Sequence, residues 1–423
     1  MRLYSRAAGL LALLLSLSAV RGDDPAETLE RGRSKLRAAA RELAKYACTE
    51  TVERRFYEAS PRSAPAGAPP GEVIESADRL RLEVTLANGR EIFSWPGATR
   101  FDTREIDSII RQGPIGSGSF AAHLLAIVDA PESQFSFQNA TSEEGERLFE
   151  YRYSVPLSES HYRIRTGKSW DTIPYEGSVR FSGDGGIRTL RIHAEAFPPA
   201  SKIRTVDAEV AYPAHDAGKD ETLLPRSSEL RIRFESGRET INRTTFSDCR
   251  EYQAESTLSF DDVTPVPGAQ SRAPVTNLLL PIGLPVTLEL TSPMDASTAA
   301  AGDPVVARVV RPVSDPRSGE ALIPAGAVVR GRLTRVEHHY KPESYFAIAM
   351  SFSRVQWDGL IAPFAARSQP GPDVLRQLGL SEDEGGGLHF WNSGLFVFPT
   401  HKEQQILPEG FKSHWITLAT GTR

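Results

Sequence analysis

The sequence is poor in cysteine: Cys48 and Cys249 are the only two in 423 residues, and no Cys-x-x-Cys spacing occurs. A dithiol redox motif is thereby excluded, and so is a cysteine-rich zinc module. It also lacks a Gly-x-Ser-x-Gly elbow and a His-Glu-x-x-His helix, which removes the usual footholds of hydrolase and metalloprotease chemistry. Basic excess is missing, with 49 Lys and Arg against 54 Asp and Glu, so no nucleic-acid partner is expected. Beyond the first 22 residues no apolar run nears the roughly 20 residues that a bilayer span requires.

Those first residues have a distinct pattern. Arg2 and Arg6 precede an apolar stretch from Ala7 to Val20, and Val20-Arg21-Gly22 closes it on a small residue. This is the layout of a secretory signal peptide, residues 1–22, removed after Gly22. The expected compartment is therefore periplasmic or extracellular, with no transmembrane segment once the leader is gone. Loss of Arg2, Arg6 and Arg21 moves the formal charge from −5 to −8. In an oxidising space the pair Cys48 and Cys249 is expected to be bridged, the alternative being a free pair.

Pro25 to Tyr46 carries Leu29, Leu36, Ala39, Ala40, Leu43 and Ala44 on one helical stripe. Alternation then takes over from Ala47 to Tyr57, and Leu80–Leu86, Asn88-Gly89 and Ile92–Trp95 spell a hairpin with a type I′ turn. Two short helices are expected at Phe101–Ile110 and Phe120–Val128, around a Gly-rich stretch from Gly113 to Gly118. Closely spaced strands follow as far as Phe260. Residues 263–276 hold Pro265, Pro267 and Pro274 and are read as a linker. Beyond it, Leu280-Pro281-Ile282-Gly283, Ile323-Pro324-Ala325-Gly326 and Leu407-Pro408-Glu409-Gly410 repeat a turn that launches an apolar strand. The expected class is α+β and mostly antiparallel β: a curved half-barrel sheet over helices in residues 23–262, then a small all-β barrel in 277–423, each half burying its alternation in its own sheet.

Two resemblances rest on residue stretches. Tyr46-Ala47-Cys48-Thr49-Glu50-Thr51-Val52-Glu53-Arg54 and Phe246-Ser247-Asp248-Cys249-Arg250-Glu251-Tyr252, with the opening helix and long meander, make the first half resemble exported bacterial proteins of the lipoprotein-carrier fold. That resemblance implies a curved sheet wrapped over helices around an apolar cavity, which in the carriers holds acyl chains. No functional residue is carried over from it. Leu290-Thr291-Ser292-Pro293-Met294-Asp295, Leu322-Ile323-Pro324-Ala325-Gly326 and Phe352-Ser353-Arg354-Val355 make the second half similar to the β-barrel of the outer-membrane core subunit of type IV secretion channels.

Candidate chemistry is sparse. His338-His339 beside Glu337 and Glu343 suggests a metal, but adjacent residues of a strand point to opposite faces, so a polar turn between strands is the simpler reading. Gly113, Gly116 and Gly118 imitate a phosphate loop without its spacing or a following Gly-Lys-Ser/Thr, and read as a hinge-like loop. Asn139-Ala140-Thr141 and Asn242-Arg243-Thr244 fit glycosylation acceptors only incidentally. The aromatics Phe93, Trp95, Phe135, Phe137, Phe149, Tyr151, Tyr153, Tyr162 and Trp170 recur through the first half, either as ordinary core or as the lining of a ligand cavity. The lining candidates are Phe93, Trp95, Phe149, Tyr151, Tyr153, Tyr162 and Trp170. The expected function is non-catalytic binding of an apolar or lipid-like ligand, or of an envelope protein partner, with no cofactor. A secreted hydrolase whose site assembles only in three dimensions and a purely structural scaffold are the alternatives.

Overall fold

The computed structural model describes residues 24–59, 73–98, 101, 115–116, 118–128, 135–143, 145–160, 162–166, 169–213, 223–251, 280–368, 394–399 and 406–419. The expected leader 1–22, the helix expected from Phe101, the strand expected at Tyr252–Phe260 and the linker 263–276 lie outside them, apart from Phe101 itself.

Helix α1 (Pro25–Leu43) starts where Asp24 caps it, its carboxylate accepting the Ala26 N–H at 2.9 Å, with Pro25 preset for the first helical position. A second helix, α2, spans Ala122–Val128. The first-half strands are β1 (Tyr46–Tyr57), β2 (Ile74–Ala87), β3 (Arg90–Ser94), β4 (Phe135–Glu143), β5 (Glu146–Val155), β6 (Arg163–Thr166), β7 (Ser169–Thr172), β8 (Tyr175–Ser182), β9 (Ile187–Ala194), β10 (Ile203–Ala211), β11 (Ser227–Phe234) and β12 (Glu239–Glu251). Antiparallel pairing orders ten of them β4-β5-β8-β9-β10-β11-β12-β1-β2-β3, with β6 and β7 a separate hairpin. The second half supplies β13 (Pro285–Leu290), β14 (Met294–Asp295), β15 (Pro304–Val309), β16 (Val313–Ser314), β17 (Ala321–Ile323), β18 (Val328–His339), β19 (Tyr345–Trp357), β20 (Leu360–Pro363), β21 (Ala366–Arg367), β22 (Gly394–Pro399), β23 (Ile406–Leu407) and β24 (Lys412–Thr417).

Mostly antiparallel β is the class expected, and the structure has it. The separate small barrel is a correction. β2 is long enough to hold β3 along Glu83–Ala87 and β18 along Ser76–Asp78 on the same edge, so both halves join one large open sheet of 18 strands. Within it the second-half strands curl round, β19 leading through β18, β15, β13 and β24 to β21, yet the sheet as a whole is no closed barrel. The apolar side chains nevertheless gather in two main clusters. One lies between the first-half sheet and α1 and α2, around Leu36, Leu82, Phe149 and Phe181. The other centres on Phe352, Ile323 and Trp415 in the second half.

Close packing fixes how α1 sits. At Gly32 an added Cβ would stand 2.7 Å from the Phe181 ring, so only glycine lets the helix lie on that strand. Asn88 and Gly89 both have positive φ, 52° and 73°, as a type I′ turn requires. A Cβ at Gly89 would meet nothing within 4 Å. Gly89→Ala therefore isolates the backbone cost: it is expected to lower the unfolding free energy by about 1 kcal/mol in urea titration with an unchanged slope.

Candidate functional site

The face of the first-half sheet that α1 and α2 cover is built by strict alternation. On β5, Phe149, Tyr151, Tyr153 and Val155 point inward and are buried, while Glu150, Arg152 and Ser154 point outward. Rings then meet across strands, Tyr151 with Phe181 at 6.0 Å, Tyr153 with Tyr175 at 6.3 Å, and Tyr162 with Tyr175 at 5.8 Å. Phe93 is buried in the same cluster, and Trp95 packs on its margin. Of the expected lining residues the structure thus gathers Phe93, Phe149, Tyr151, Tyr153 and Tyr162 into one aromatic wall, with Trp95 at its edge; the Trp170 side chain lies outside the described residues. The hydroxyls find partners: Tyr151 donates to the Pro25 carbonyl, and Tyr153 to that of Arg191 at 2.7 Å. Burial pushes the Tyr175 phenol up to about 12.

Charge inside this wall is what sequence reasoning passed over. Cys48, Glu50, Val52 and Arg54 share the buried side of β1. Arg54 is matched by Asp78 in a bidentate pair, Nε to Oδ1 at 2.8 Å and Nη2 to Oδ2 at 2.5 Å, with both side chains under a tenth exposed. Glu50 is 5% exposed, stands opposite Leu82 and Phe246, and makes no side-chain hydrogen bond or ion pair among the described residues. Burial, with a smaller contribution from the Glu91 carboxylate, pushes its carboxyl up to about 8. Glu50 is thus a neutral acid at neutral pH, able to donate or accept one hydrogen bond within an apolar surround.

Glu91 explains the Gly-rich stretch. Its carboxylate accepts the Gly118 N–H and those of Ala121 and Ala122, the latter two at 2.9 and 3.3 Å, just ahead of α2. The loop that imitates a phosphate cradle holds the chain's own carboxylate. Beside it His123 is half-buried, and loss of hydration lowers its imidazole to about 4.

His338 and His339 lie on β18 rather than in a turn, which corrects the sequence reading, and they point to opposite faces. His338 stacks 4.3 Å from the Phe346 ring and shares a hydrogen bond with Ser344 at 2.9 Å. His339 stacks on Tyr345 at 4.6 Å and bonds Glu337 at 2.9 Å. Glu337 also accepts from Arg335 and pairs in register with Asp78 of β2. Burial alone would raise the Glu337 carboxyl, but the bonds from His339 and Arg335 prevail and hold it below the usual carboxylate range. The motif is part of the seam between the halves. No group of three or more metal-ligating side chains occurs among the described residues.

The opposite, outward face carries a shallow polar groove of about 560 Å³. Its carboxylates and cations pair across strands: His193 Nδ1 meets Asp207 Oδ1 at 2.7 Å, Arg233 takes Asp207 Oδ2 at 2.6 Å, and Arg191 takes Glu209 at 2.7 Å. The hydrogen bond to Asp207 raises the His193 imidazole against the opposing effect of burial.

No family model matches the sequence, and no curated protein matches it. Nine chains of solved structures match, among them the following two. A LolA superfamily protein from Nitrosomonas europaea is 12% identical with a TM-score of 0.24, over 54% of this chain and 93% of its own. ComB10 of the Com type IV secretion system of Helicobacter pylori is 14% identical with a TM-score of 0.19, over 34% of this chain and 89% of its own. Both are likenesses at the level of fold.

Proposed function

We propose that the chain is an exported, non-catalytic envelope protein that binds an apolar or lipid-like ligand, or an apolar segment of a protein partner, against the covered face of its first-half sheet. One observation carries this reading: an extended wall of aromatic and aliphatic side chains contains a buried, neutral carboxyl at Glu50 with no partner among the described residues. A carboxyl held neutral by burial can hydrogen-bond the single polar head of an amphiphile. The disulfide between Cys48 and Cys249 supports the extracytoplasmic compartment. Among the described residues His193 and Asp207 form a histidine–carboxylate pair in the outward groove, but that carboxylate is already shared with Arg233, and the pair of His339 with Glu337 is stacked into the seam, so the binding reading is favoured.

Native mass spectrometry of protein recovered from a periplasmic extract is expected to show a bound small amphiphile that organic extraction removes. Bare protein from that source, together with no uptake of a fluorescent fatty-acid probe, would count against the proposal. Glu50→Leu is expected to weaken uptake of such a probe roughly tenfold, the equivalent of one lost hydrogen bond to a polar head.

A further inference from the structure

A different feature stands on the second half. Arg330 and Arg332 share the outward side of β18, and the register sets Arg330 directly opposite Arg354 on β19. Like charges facing each other across a ladder destabilise a sheet unless something lies between them. None of the three is ion-paired among the described residues, and Asp303, next to the Pro304 that faces Arg332 across the ladder, is taken by Arg81. The Nη1 of Arg332 is buried with no hydrogen-bond partner, and its guanidinium lies over the Trp95 ring, 5.6 Å from the centroid. Burial, and then the neighbouring Arg354, lower the Arg332 guanidinium below its ordinary range, which is the behaviour of a cation lacking its counter-charge.

We propose that Arg330, Arg332 and Arg354, walled by Trp95, form a binding site for a phosphate-type polyanion. Two negative charges and three or more acceptor oxygens match three guanidinium forks, whereas a lone carboxylate would neutralise only one of them. The site meets the covered face of the first-half sheet only at Trp95, and the arginines altered in the test lie on β18 and β19, so its failure and that of the apolar-ligand reading are separable. Anions of this kind occur free, as phosphate or pyrophosphate, or as lipid headgroups.

The test is calorimetric titration of the full chain with pyrophosphate at low salt, beside Arg354→Gln and the double variant Arg330→Gln/Arg354→Gln. Both altered positions are exposed, so folding is retained. Wild type is expected to bind, and each removed guanidinium to weaken binding roughly tenfold or more. Pyrophosphate should raise the wild-type melting temperature and leave that of the double variant unmoved. Without anion, Arg354→Gln should melt above wild type, since a repulsion has gone. Co-sedimentation with phosphatidic acid but not phosphatidylcholine vesicles would assign the site to phosphomonoester headgroups, and binding of pyrophosphate alone to a free compound. The proposal is overturned if wild type binds neither probe, or if the double variant binds as tightly.

Discussion

Replacing Glu50 by Gln is expected to flatten the dependence of stability on pH across the neutral range and to make the protein more stable at pH 8 than the wild type. Below its ordinary value near 4.5 the carboxyl is protonated in the folded and unfolded chain alike and has no effect on the balance. As pH rises from there toward 8, the unfolded chain ionises freely while the folded chain holds the proton, so each step costs stability; above about 8 both forms are ionised and the loss levels off. The interval corresponds to a loss of up to about 5 kcal/mol, spread over that window. His123 works in the other sense. With its imidazole lowered to about 4, it contributes stability that is present above 6.5 and lost as pH falls toward 4. The two windows overlap between about 4.5 and 6.5, where the opposing slopes offset each other, so wild type should decline above about 6.5, whereas Glu50→Gln should gain stability up to about 6.5 and then stay level. Urea unfolding of both proteins at intervals from pH 5 to pH 8.5 measures the difference; parallel curves would show that Glu50 is ionised in the fold. A bound amphiphile that hydrogen-bonds the neutral acid would raise the folded value further and extend the wild-type decline above pH 8, because its binding energy is also lost when the proton leaves. The same titration on stripped and loaded protein thus links the acid to the ligand.

What is legible in the residues follows the range of the forces involved. The α1 stripe, the Asn88-Gly89 hairpin and most strands are set within a dozen residues, and they lie close to where periodicity puts them. β4 escapes because, beyond Phe135, it is exposed on both faces, which leaves no alternation of burial to read. The seam escapes for a different reason: Ser76–Asp78 of β2 and Glu337–His339 of β18 are paired by register across more than half the chain, and no local pattern announces such a meeting. Once it forms, the two histidines become stacked and bonded members of a ladder. Glu50 carries a local signal. Its place in Cys48-x-Glu50-x-Val52, on the apolar side of an alternating strand, marks an acid pointing inward, and residue order alone displays that departure from the pattern. Arg330 and Arg332 are just as plain two positions apart on one strand, but Arg354 joins them only through the ladder.

Loss of the Cys48–Cys249 bond is the other change with a large expected effect. The two residues are 201 positions apart in sequence, on neighbouring strands β1 and β12 that enclose every other strand of the first-half sheet between them in the chain. A β-bulge makes the meeting possible. The register passes from Ala47 opposite Arg250 to Thr49 opposite Ser247, so Asp248 and Cys249 together face Cys48, and Asp248 takes a positive φ of 48°. Closing so long a loop restricts the unfolded chain, and on the chain-entropy model its opening costs about 5 kcal/mol, of which engineered removals commonly recover less. Cys48→Ala/Cys249→Ala is accordingly expected to unfold about 3–5 kcal/mol more easily while keeping the β1–β12 ladder, whose backbone bonds do not depend on sulfur. Cys48 is fully buried, so the wild-type bond should resist mild reductant until the sheet opens. Three readouts bear on this together. Thiol titration of the denatured, unreduced wild type should find no free thiol; urea unfolding should separate wild type from variant; and strong reductant in the denaturant should bring the wild-type curve onto that of the variant. Two free thiols in protein recovered from the periplasm, or coincident curves without reductant, would remove both the bond and its support for an oxidising compartment, leaving that compartment to rest on residues 1–22 alone.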